Sequence, residues 1–316
     1  MKPVVSVLLP VYNGGAYLKP AIESVLSQTF GDWELSVGDN ASTDGTREIL
    51  ESCHDPRIRV HRHATNIGMA PNWDFLLQNA RGDYACILGS DDLFYSTHLE
   101  RKVALLRNCP EAAFVHGPTD FINAKGDVIQ KSTPPGNARG DWGDLLKSFL
   151  EANCLNIISI VFPLEIVQKH NLRFESCFEL MPDWHLWMSL LLFSERVCYD
   201  EQVTTAYRIH QDSLTSRNLD SYSWTIQSAE LRLDLLRRFQ KQWCEIGTDP
   251  EMEKARITNG LWALAFQQAR RRHWPEAKRA WKNYREFHSI AEMFCDAPSH
   301  FAERLWKKFR GKEISA

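Results

Sequence analysis

Short apolar runs alternate with stretches of helical spacing through the first third of the chain. Residues 4 to 9 form a β-rich run, and the apolar positions between Leu18 and Leu26 then recur on one helical face. Further strands are predicted at 34–37, 57–61, 84–88 and 112–116, with helices at 46–53, at 72–80 and from Thr97 onward. Thr97 and Glu100 have the spacing of a capping box. This alternation predicts an α/β fold, a Rossmann-like, mostly parallel twisted sheet with flanking helices.

The regular alternation of strand-like and helical segments ends after residue 116. The stretch 121–129 predicts a hairpin and 134–136 a loop, and strand-like runs at 157–162 and 204–209 flank a helix at 183–193. Beyond Ser221 nearly everything has a helical pattern, and 261–272 with 275–287 predict a helix pair. A C-terminal α-helical extension is therefore expected to follow the α/β part.

Charge and cysteine usage narrow the function classes. The net charge of −3 argues against nucleic acid as a partner, since phosphate neutralisation needs a basic excess. The eight cysteines are scattered, so they spell out neither a zinc site nor a redox pair, and reduced thiols are expected. No signal-peptide pattern follows Met1, and no apolar run is long enough to span a bilayer. These features predict a cytoplasmic protein.

The last fifty residues differ from the rest in charge. Residues 267–316 hold 12 Lys and Arg against 6 Asp and Glu. A helix that carries Phe301, Trp306 and Phe309 among basic residues could lie on anionic lipid. The alternative is that these aromatic side chains pack on the rest of the protein. Peripheral contact with the inner face of a membrane is therefore one hypothesis for this tail.

Polar residues follow the first two predicted strands, where open α/β sheets bind ligands. Pro10, Tyr12 and Asn13 supply an aromatic ring able to stack on a base, and the amides of residues 13–15 could face phosphate. Asp39 could accept the N3 hydrogen of uracil or thymine. Asp44 is interpreted as the N-cap of the next helix.

Adjacent carboxylates follow the fourth predicted strand. Ser90, Asp91 and Asp92 stand at its end. Carboxylate oxygens suit a hard divalent cation, Mn²⁺ or Mg²⁺, that would bridge the phosphates of a nucleotide sugar. Surface acidic pairs are also common, so the pair alone leaves both interpretations open.

Together these clusters resemble glycosyltransferase family 2, whose members have the GT-A fold. The resemblance covers residues 4–215 and includes Asn66 in the segment 66–73, Arg81 before the metal strand, Asp183 in 182–187 and His210 in 207–210. It implies that Asp183 is the catalytic base and that Arg81 and His210 approach the donor phosphates. It also implies a donor site that includes Asn66. The chain departs from the family pattern at Gly89 and at Asn40, where aspartate is usual or frequent.

The resemblance implies an inverting, metal-dependent glycosyltransferase that uses a UDP- or dTDP-sugar and a glycan or lipid-linked acceptor. The implied catalytic domain is 1–218, with a nucleotide-sugar half at 1–116 and an acceptor half at 117–218, followed by a helical region at 219–316. Two alternatives remain open. One is a non-catalytic sugar-nucleotide or glycan-binding protein of the same fold. The other is a nucleotidyltransferase, which would need an arginine-bearing loop that residues 13–16 do not supply.

Overall fold

A computed structural model describes residues 2–132, 142–178, 180–194, 196–211, 221–245, 247–270, 275, 277, 279, 280 and 282. Its strands are β1 (Val5–Val11), β2 (Trp33–Asp39), β3 (Ile58–Arg62), β4 (Tyr84–Ile87), β5 (Leu93–Phe94), β6 (Val115–His116), β7 (Thr119–Ile122), β8 (Val128–Ser132), β9 (Val161–Pro163), β10 (Cys198–Tyr199) and β11 (Thr205–Arg208). Its helices are α1 (Gly15–Leu26), α2 (Thr46–Glu51), α3 (Met69–Gln78), α4 (His98–Asn108), α5 (Trp142–Glu151), α6 (Leu164–Lys169), α7 (Pro182–Leu191), α8 (Ser221–Arg238), α9 (Gln240–Glu245) and α10 (Pro250–Arg270).

The main sheet has seven strands in the order β10-β6-β9-β4-β1-β2-β3. Strands β3, β2, β1 and β4 run parallel to one another, and β9 enters antiparallel between β4 and β6. All seven residues of β2 are buried, as are six of the seven in β1, because helices cover both faces. The predicted α/β fold with a mostly parallel sheet is confirmed.

A second sheet of four strands, β5-β11-β7-β8, was not foreseen in the sequence. Its β7–β8 pair is the predicted hairpin, with a turn around Gly126 at φ 92°. Strand β11 pairs parallel with β7 and antiparallel with β5. This pairing brings residues 205–208 beside the connection that follows β4. The predicted loop at 134–136 lies outside the described residues.

Two local predictions need correction. Thr97 is the N-cap of α4, yet its side chain caps no amide, and Glu100 instead accepts a hydrogen bond from Thr29 Oγ1 at 2.6 Å. The capping box is therefore absent, because Thr29, which precedes β2, donates to the Glu100 carboxylate that the box would need. The run predicted as one strand over 157–162 is a 3₁₀ turn, Ile157–Ser159, followed by β9.

The described C-terminal helices share a core with the sheet. Ile226, Leu231 and Leu235 of α8 belong to the same buried cluster as Leu8 and Ile87 of the central strands. The helical character predicted beyond residue 221 is confirmed for α8 to α10. Most of the second predicted helix of the pair, 275–287, and the whole aromatic and basic segment 301–310 lie outside the described residues.

The structure also bears on the membrane and cysteine predictions. In the part of the chain that the structure describes, no helix combines the length and the apolar character that crossing a membrane requires. The seven cysteines that fall in that part are all free thiols. Burial and the neighbouring Cys109 thiol raise the pKa of the Cys198 thiol to about 12.

Candidate active site

The carboxyl ends of β1, β2 and β4 meet at one edge of the main sheet. Val11 at the end of β1 pairs with Asp39 at the end of β2, and Leu8 pairs with Ile87 at the end of β4. The connections that leave these three strands therefore lie side by side. They contain most of the polar residues that the sequence singled out.

Hydrogen bonds join the connection after β1 to the one after β2. The backbone N–H groups of residues 13, 14 and 15 all donate to side chains of the second connection. The pairs are Asn13 to Ser42 at 2.9 Å, Gly14 to Thr46 at 2.9 Å and Gly15 to Asp44 at 3.0 Å. These amides already have acceptors, which corrects the expectation that they face a phosphate. Asp44 also accepts from Thr46 N at 3.0 Å, although the N-cap of α2 is Gly45.

Asp39 is fully buried at the end of β2. Its Oδ1 accepts from Ser42 N at 2.9 Å and its Oδ2 from Arg62 Nε at 2.7 Å. Burial acts to raise the pKa of Asp39, but the hydrogen bonds from Ser42 and Arg62 outweigh it and hold that pKa below its ordinary value. Asp39 is therefore a carboxylate at neutral pH. The Tyr12 ring, at the same sheet edge, is half exposed at 51%.

Hydrogen bonds of Asn40 hold the connection after β3 at this edge of the sheet. Its Nδ2 donates to Asn66 Oδ1 and to Gly68 O, both at 3.0 Å, and its Oδ1 accepts from Ile67 N at 2.8 Å. Asn66 is thus brought to the candidate site by Asn40. An aspartate at position 40 could not donate these bonds, which gives a physical reason for the amide here.

The acidic pair after β4 contacts the end of β11. Asp91 Oδ2 lies 2.8 Å from His210 Nε2, and Asp92 Oδ1 accepts from Arg208 N at 2.8 Å. Arg208 Nε also donates to the backbone oxygen of Asp91 at 2.7 Å. Ser90, next to the pair, is half-buried. The tertiary structure therefore joins the two sequence motifs that contain the acidic pair and the histidine.

The remaining oxygens of the acidic pair face Gly89. A Cβ placed on Gly89 would lie 2.5 Å from Asp92 Oδ2 and 3.1 Å from Asp91 Oδ1. Neither of these two oxygens accepts a hydrogen bond from the described part of the chain. Burial and the neighbouring Asp91 carboxylate raise the pKa of Asp92 well above its ordinary value. Two carboxylate oxygens that face one small residue and accept no hydrogen bond from the described residues form a donor set that fits a hard divalent cation.

Asp183 stands at the second position of α7. Asn153 Nδ2 donates to its Oδ2 at 2.9 Å, and the indole N–H of Trp184 anchors α7 to Phe149 O of α5 at 3.0 Å. Burial raises the pKa of the Asp183 carboxyl, and the hydrogen bond from Asn153 opposes that rise. A carboxylate with a raised pKa at a helix N-terminus has the properties of a general base.

Sequence reasoning missed two residues beside the acidic pair. Tyr17 of α1 packs against His210 with ring centroids 4.9 Å apart, and the guanidinium of Arg208 lies 4.7 Å from the centroid of the same Tyr17 ring. Arg208 lies two positions before His210, and alternate residues of a strand share a face. This alternation could have pointed to Arg208 from the sequence, whereas nothing in the sequence distinguished Tyr17.

Comparisons with known proteins show which family this chain resembles. The family model described as glycosyl transferase family 2 matches residues 6–161. The Escherichia coli UDP-Glc:alpha-D-GlcNAc-diphosphoundecaprenol beta-1,3-glucosyltransferase WfgD is 26% identical over 257 residues, which cover 80% of this chain and 89% of WfgD. This chain is therefore similar to glycosyltransferases of family 2.

Two solved structures share the GT-A fold with this chain. S. aureus TarS 1–349 in complex with UDP-GlcNAc matches with a TM-score of 0.59 at 15% identity, covering 91% of this chain and 93% of that fragment. A longer TarS chain is covered only to 43%. The mannosyltransferase PcManGT from Pyrobaculum calidifontis, in complex with GDP-Man and Mn²⁺, matches with a TM-score of 0.53 at 16% identity, covering 99% of this chain and 81% of that one.

Gly89 is where this chain lacks the aspartate that the resemblance leads one to expect. We expect Gly89→Ala to destabilise the protein by about 1–3 kcal/mol, because the new methyl meets both carboxylates and forces them to shift. The same shift should raise the Mn²⁺ concentration needed for half-maximal donor hydrolysis by roughly tenfold, equivalent to about 1.4 kcal/mol. Thermal unfolding and a metal titration measure the two effects.

Gly45→Ala is the matched control for this substitution. Apart from its neighbours in the chain, no described residue has an atom within 4 Å of a Cβ on Gly45, and its φ of −71° suits alanine. Its stability should stay within about 0.5 kcal/mol of the wild type. An unchanged metal requirement in Gly89→Ala would contradict the placement of a cation over Gly89.

The structure places Arg81 away from the acidic pair. Its guanidinium pairs with the buried Glu34 at 2.5 Å, and its backbone N–H donates to Ser6 Oγ at 3.1 Å. Ser6 lies near the start of β1, five residues before Val11, which is about 16 Å at the rise of a strand. Arg81 is thus held at the opposite edge of the sheet from Asp91, and the structure does not bring it to the candidate site.

We expect Arg81→Ala to lower stability by about 1–2 kcal/mol at pH 7 and to leave donor affinity within about twofold of the wild type. The loss is modest because Arg81 is half exposed and Arg59 still pairs with Glu34 at 3.3 Å. Burial acts to raise the pKa of Glu34, but hydrogen bonds from Arg81 and Ser6 lower it overall. The stabilisation is therefore present above the ordinary pKa of 4.5 and is lost as the pH falls through the folded-state value. Denaturant unfolding at several pH values and donor titration test both parts.

Proposed function

We propose that this protein is a metal-dependent, inverting glycosyltransferase that moves a sugar from a UDP- or dTDP-sugar to an acceptor hydroxyl. The observation that carries the proposal is the convergence of two carboxylate oxygens, from Asp91 and Asp92, over Gly89. They lie at the strand ends where Asp39 also stands. A nucleotide-diphosphate donor requires a cation site for its phosphates next to a site for its nucleobase.

The base of the donor would lie between Tyr12 and the connection after β2. The exposed Tyr12 ring offers a stacking surface, with Pro10 and Asn13 beside it. Asp39 supports uracil or thymine as the base, since its carboxylate accepts the N3 hydrogen. Arg62 covers Asp39 Oδ2, so a base that bonds to this oxygen must share it with Arg62 or displace Arg62. Asn66 and Ser90 complete the proposed donor contacts.

Asp91 and Asp92 would hold Mn²⁺ or Mg²⁺ together with oxygens of the donor. Among the described residues, no group of three or more His, Cys, Asp or Glu side chains is arranged to hold a metal ion alone. The diphosphate would therefore complete the coordination. A bound cation neutralises charge on the departing diphosphate. The complex of PcManGT with GDP-Man and Mn²⁺ supports this assignment.

His210 and Arg208 lie where they could meet the donor phosphates. His210 is bonded to Asp91 Oδ2, and Arg208 lies behind it against the Tyr17 ring. Positive or hydrogen-bond-donating groups at this place would stabilise the diphosphate as charge builds on it.

Asp183 would remove the proton of the acceptor hydroxyl while that oxygen attacks the anomeric carbon. A single displacement inverts the configuration at that carbon. The name of WfgD supports inversion, because it specifies a β-1,3 linkage made from UDP-Glc. A single displacement on an α-linked nucleotide sugar gives such a linkage. The same name supports a lipid-linked acceptor and a role in surface polysaccharide or glycolipid synthesis.

A donor screen tests the proposal. Purified protein is incubated with UDP-, dTDP- and GDP-sugars, with and without Mn²⁺ or Mg²⁺, and release of nucleoside diphosphate and the shift in melting temperature are followed. The expected result is metal-dependent stabilisation and slow hydrolysis with UDP- or dTDP-sugars. Binding without any turnover, even with lipid-linked acceptors, would favour a non-catalytic sugar-nucleotide-binding protein instead.

A further inference from the structure

The side-chain amide of Asn153 contacts the carboxylate of Asp183. Asn153 lies in the connection after α5, thirty positions before Asp183, and its Nδ2 is 2.9 Å from Asp183 Oδ2. Both side chains are half-buried. In this setting a hydrogen bond to a charged group is worth more than one on the surface.

The orientation of the amide follows from its partners. A carboxylate can only accept, so the atom that faces Asp183 must be the NH₂ group. The other end of the amide, Oδ1, accepts from Leu155 N at 3.4 Å. The amide is therefore oriented at both ends, and it holds Oδ2 of Asp183 in one place.

The other groups around Asp183 leave this role to Asn153. The backbone N–H groups of Asp183 and Trp184 and the indole N–H of Trp187 act on the same carboxylate, but in the described part of the chain none of them forms a well-made hydrogen bond with it. His185, the other titratable side chain of α7, pairs with Asp234 of α8 at 3.3 Å. Burial raises the pKa of the Cys154 thiol to about 11, so this neighbour of Asn153 stays neutral near pH 7.

We propose that Asn153 is a positioning residue for the reaction: its amide fixes Oδ2 of Asp183, favours the ionised carboxylate and leaves Oδ1 to receive the acceptor proton. This inference rests on the proposed role of Asp183 as the base. A hydrogen bond to the ionised form of an acid lowers its pKa. In a variant without the Asn153 amide, one hydrogen bond fewer opposes the rise in the Asp183 pKa that burial causes. The Asp183 carboxyl therefore keeps its proton up to a higher pH.

The first test measures Asp183 itself and needs no substrate. Protein labelled with ¹³C at the aspartate carboxyl groups is titrated by NMR, and the Asp183 resonance is identified by its absence in Asp183→Asn. Asn153→Ala should raise the pKa of Asp183 by roughly one unit. Asn153→Asp, which keeps the shape but adds a like charge, should raise the apparent pKa further. Asn153→Asp also serves as the second variant if Asn153→Ala does not fold.

The second test follows the pH profile of donor hydrolysis. The probe is UDP-glucose or UDP-GlcNAc, whichever the wild type hydrolyses. The acidic limb of kcat/KM in Asn153→Ala should move to higher pH by the same roughly one unit, with the KM for the donor within about twofold. Asn156→Ala is the matched control, because Asn156 lies three positions on and its side chain accepts from Ile158 N instead. This control should leave the limb where it is in the wild type.

The outcomes separate the two proposals. An unchanged Asp183 pKa and an unchanged acidic limb in folded Asn153→Ala would overturn the positioning role, even if Asp183→Asn is inactive. Full hydrolysis by Asp183→Asn would overturn the base assignment and, with it, the catalytic part of this inference. Both proposals are supported if the acidic limb shifts in Asn153→Ala but not in Asn156→Ala, and if Asp183→Asn is inactive.

Discussion

Asp183→Asn is expected to lower the turnover of sugar transfer by about 10³-fold while the protein stays folded. The amide has the size of the carboxylate but cannot take a proton from an acceptor hydroxyl at neutral pH. Because the change removes a step of the reaction rather than a binding contact, the donor-induced rise in melting temperature should remain. Product formation under saturating donor and the donor-induced shift measure the two quantities.

The stability of this variant has a predicted pH dependence. Burial raises the folded-state pKa of Asp183, so the stability that this carboxyl contributes is present below its ordinary pKa of 3.8 and is lost as the pH rises through the folded value. The neutral amide of the variant avoids that loss, so the variant should melt no lower than the wild type at pH 7. Its advantage should disappear at a pH below 3.8, where the wild-type carboxyl is also neutral.

Glu165→Gln is the matched control for Asp183→Asn. Glu165 is exposed in the first turn of α6, so it interacts with a helix N-terminus as Asp183 does but lies outside the candidate site. It should keep wild-type turnover. If Asp183→Asn also kept wild-type turnover, Asp183 would be only a helix-start residue and the base would have to be sought elsewhere.

The second large effect is expected from Asp91→Asn, which should lower metal-dependent turnover by at least about 100-fold. The substitution removes one negative charge from the two carboxylates that face Gly89, and a neutral amide is a weaker ligand for Mn²⁺ or Mg²⁺. The bond to His210 Nε2 can persist through the amide oxygen, so the fold around β11 should survive. Nucleoside diphosphate release at increasing Mn²⁺ concentrations measures the effect.

Asp83→Asn controls for the loss of one negative charge next to the same strand, β4. Asp83 lies just before β4 at the opposite edge of the sheet, where it forms an exposed ion pair with Lys2 at 2.7 Å. Exposed pairs contribute little, so its turnover and metal response should match the wild type. A wild-type metal response in Asp91→Asn would refute the assignment of the acidic pair to a cation.

Much of the fold of residues 1–116 could be predicted from the chain alone. The apolar runs of β1, β2 and β4 predicted buried parallel strands, and strand ends in a sheet of this kind point to one edge. The sequence thus predicted that Asp39 and Asp91 would lie at the same edge, which the register of these strands supports. The C-terminal helical character was equally predictable, because it depends on local periodicity.

The sequence by itself determined most of the longer strands and helices, because a buried face requires apolar residues at a regular spacing along the chain. It did not predict the short strands β5 and β10 or the helices α5 and α6. Only the tertiary structure decided which polar groups meet. It paired Arg81 with Glu34 at the far edge, gave the amides of residues 13–15 to side chains of the next connection, and brought Asn153 to Asp183. It also added a second sheet through which β11 delivers Arg208 and His210 to the acidic pair. These contacts join residues that are tens of positions apart, and no local pattern of the chain encodes the register that sets them.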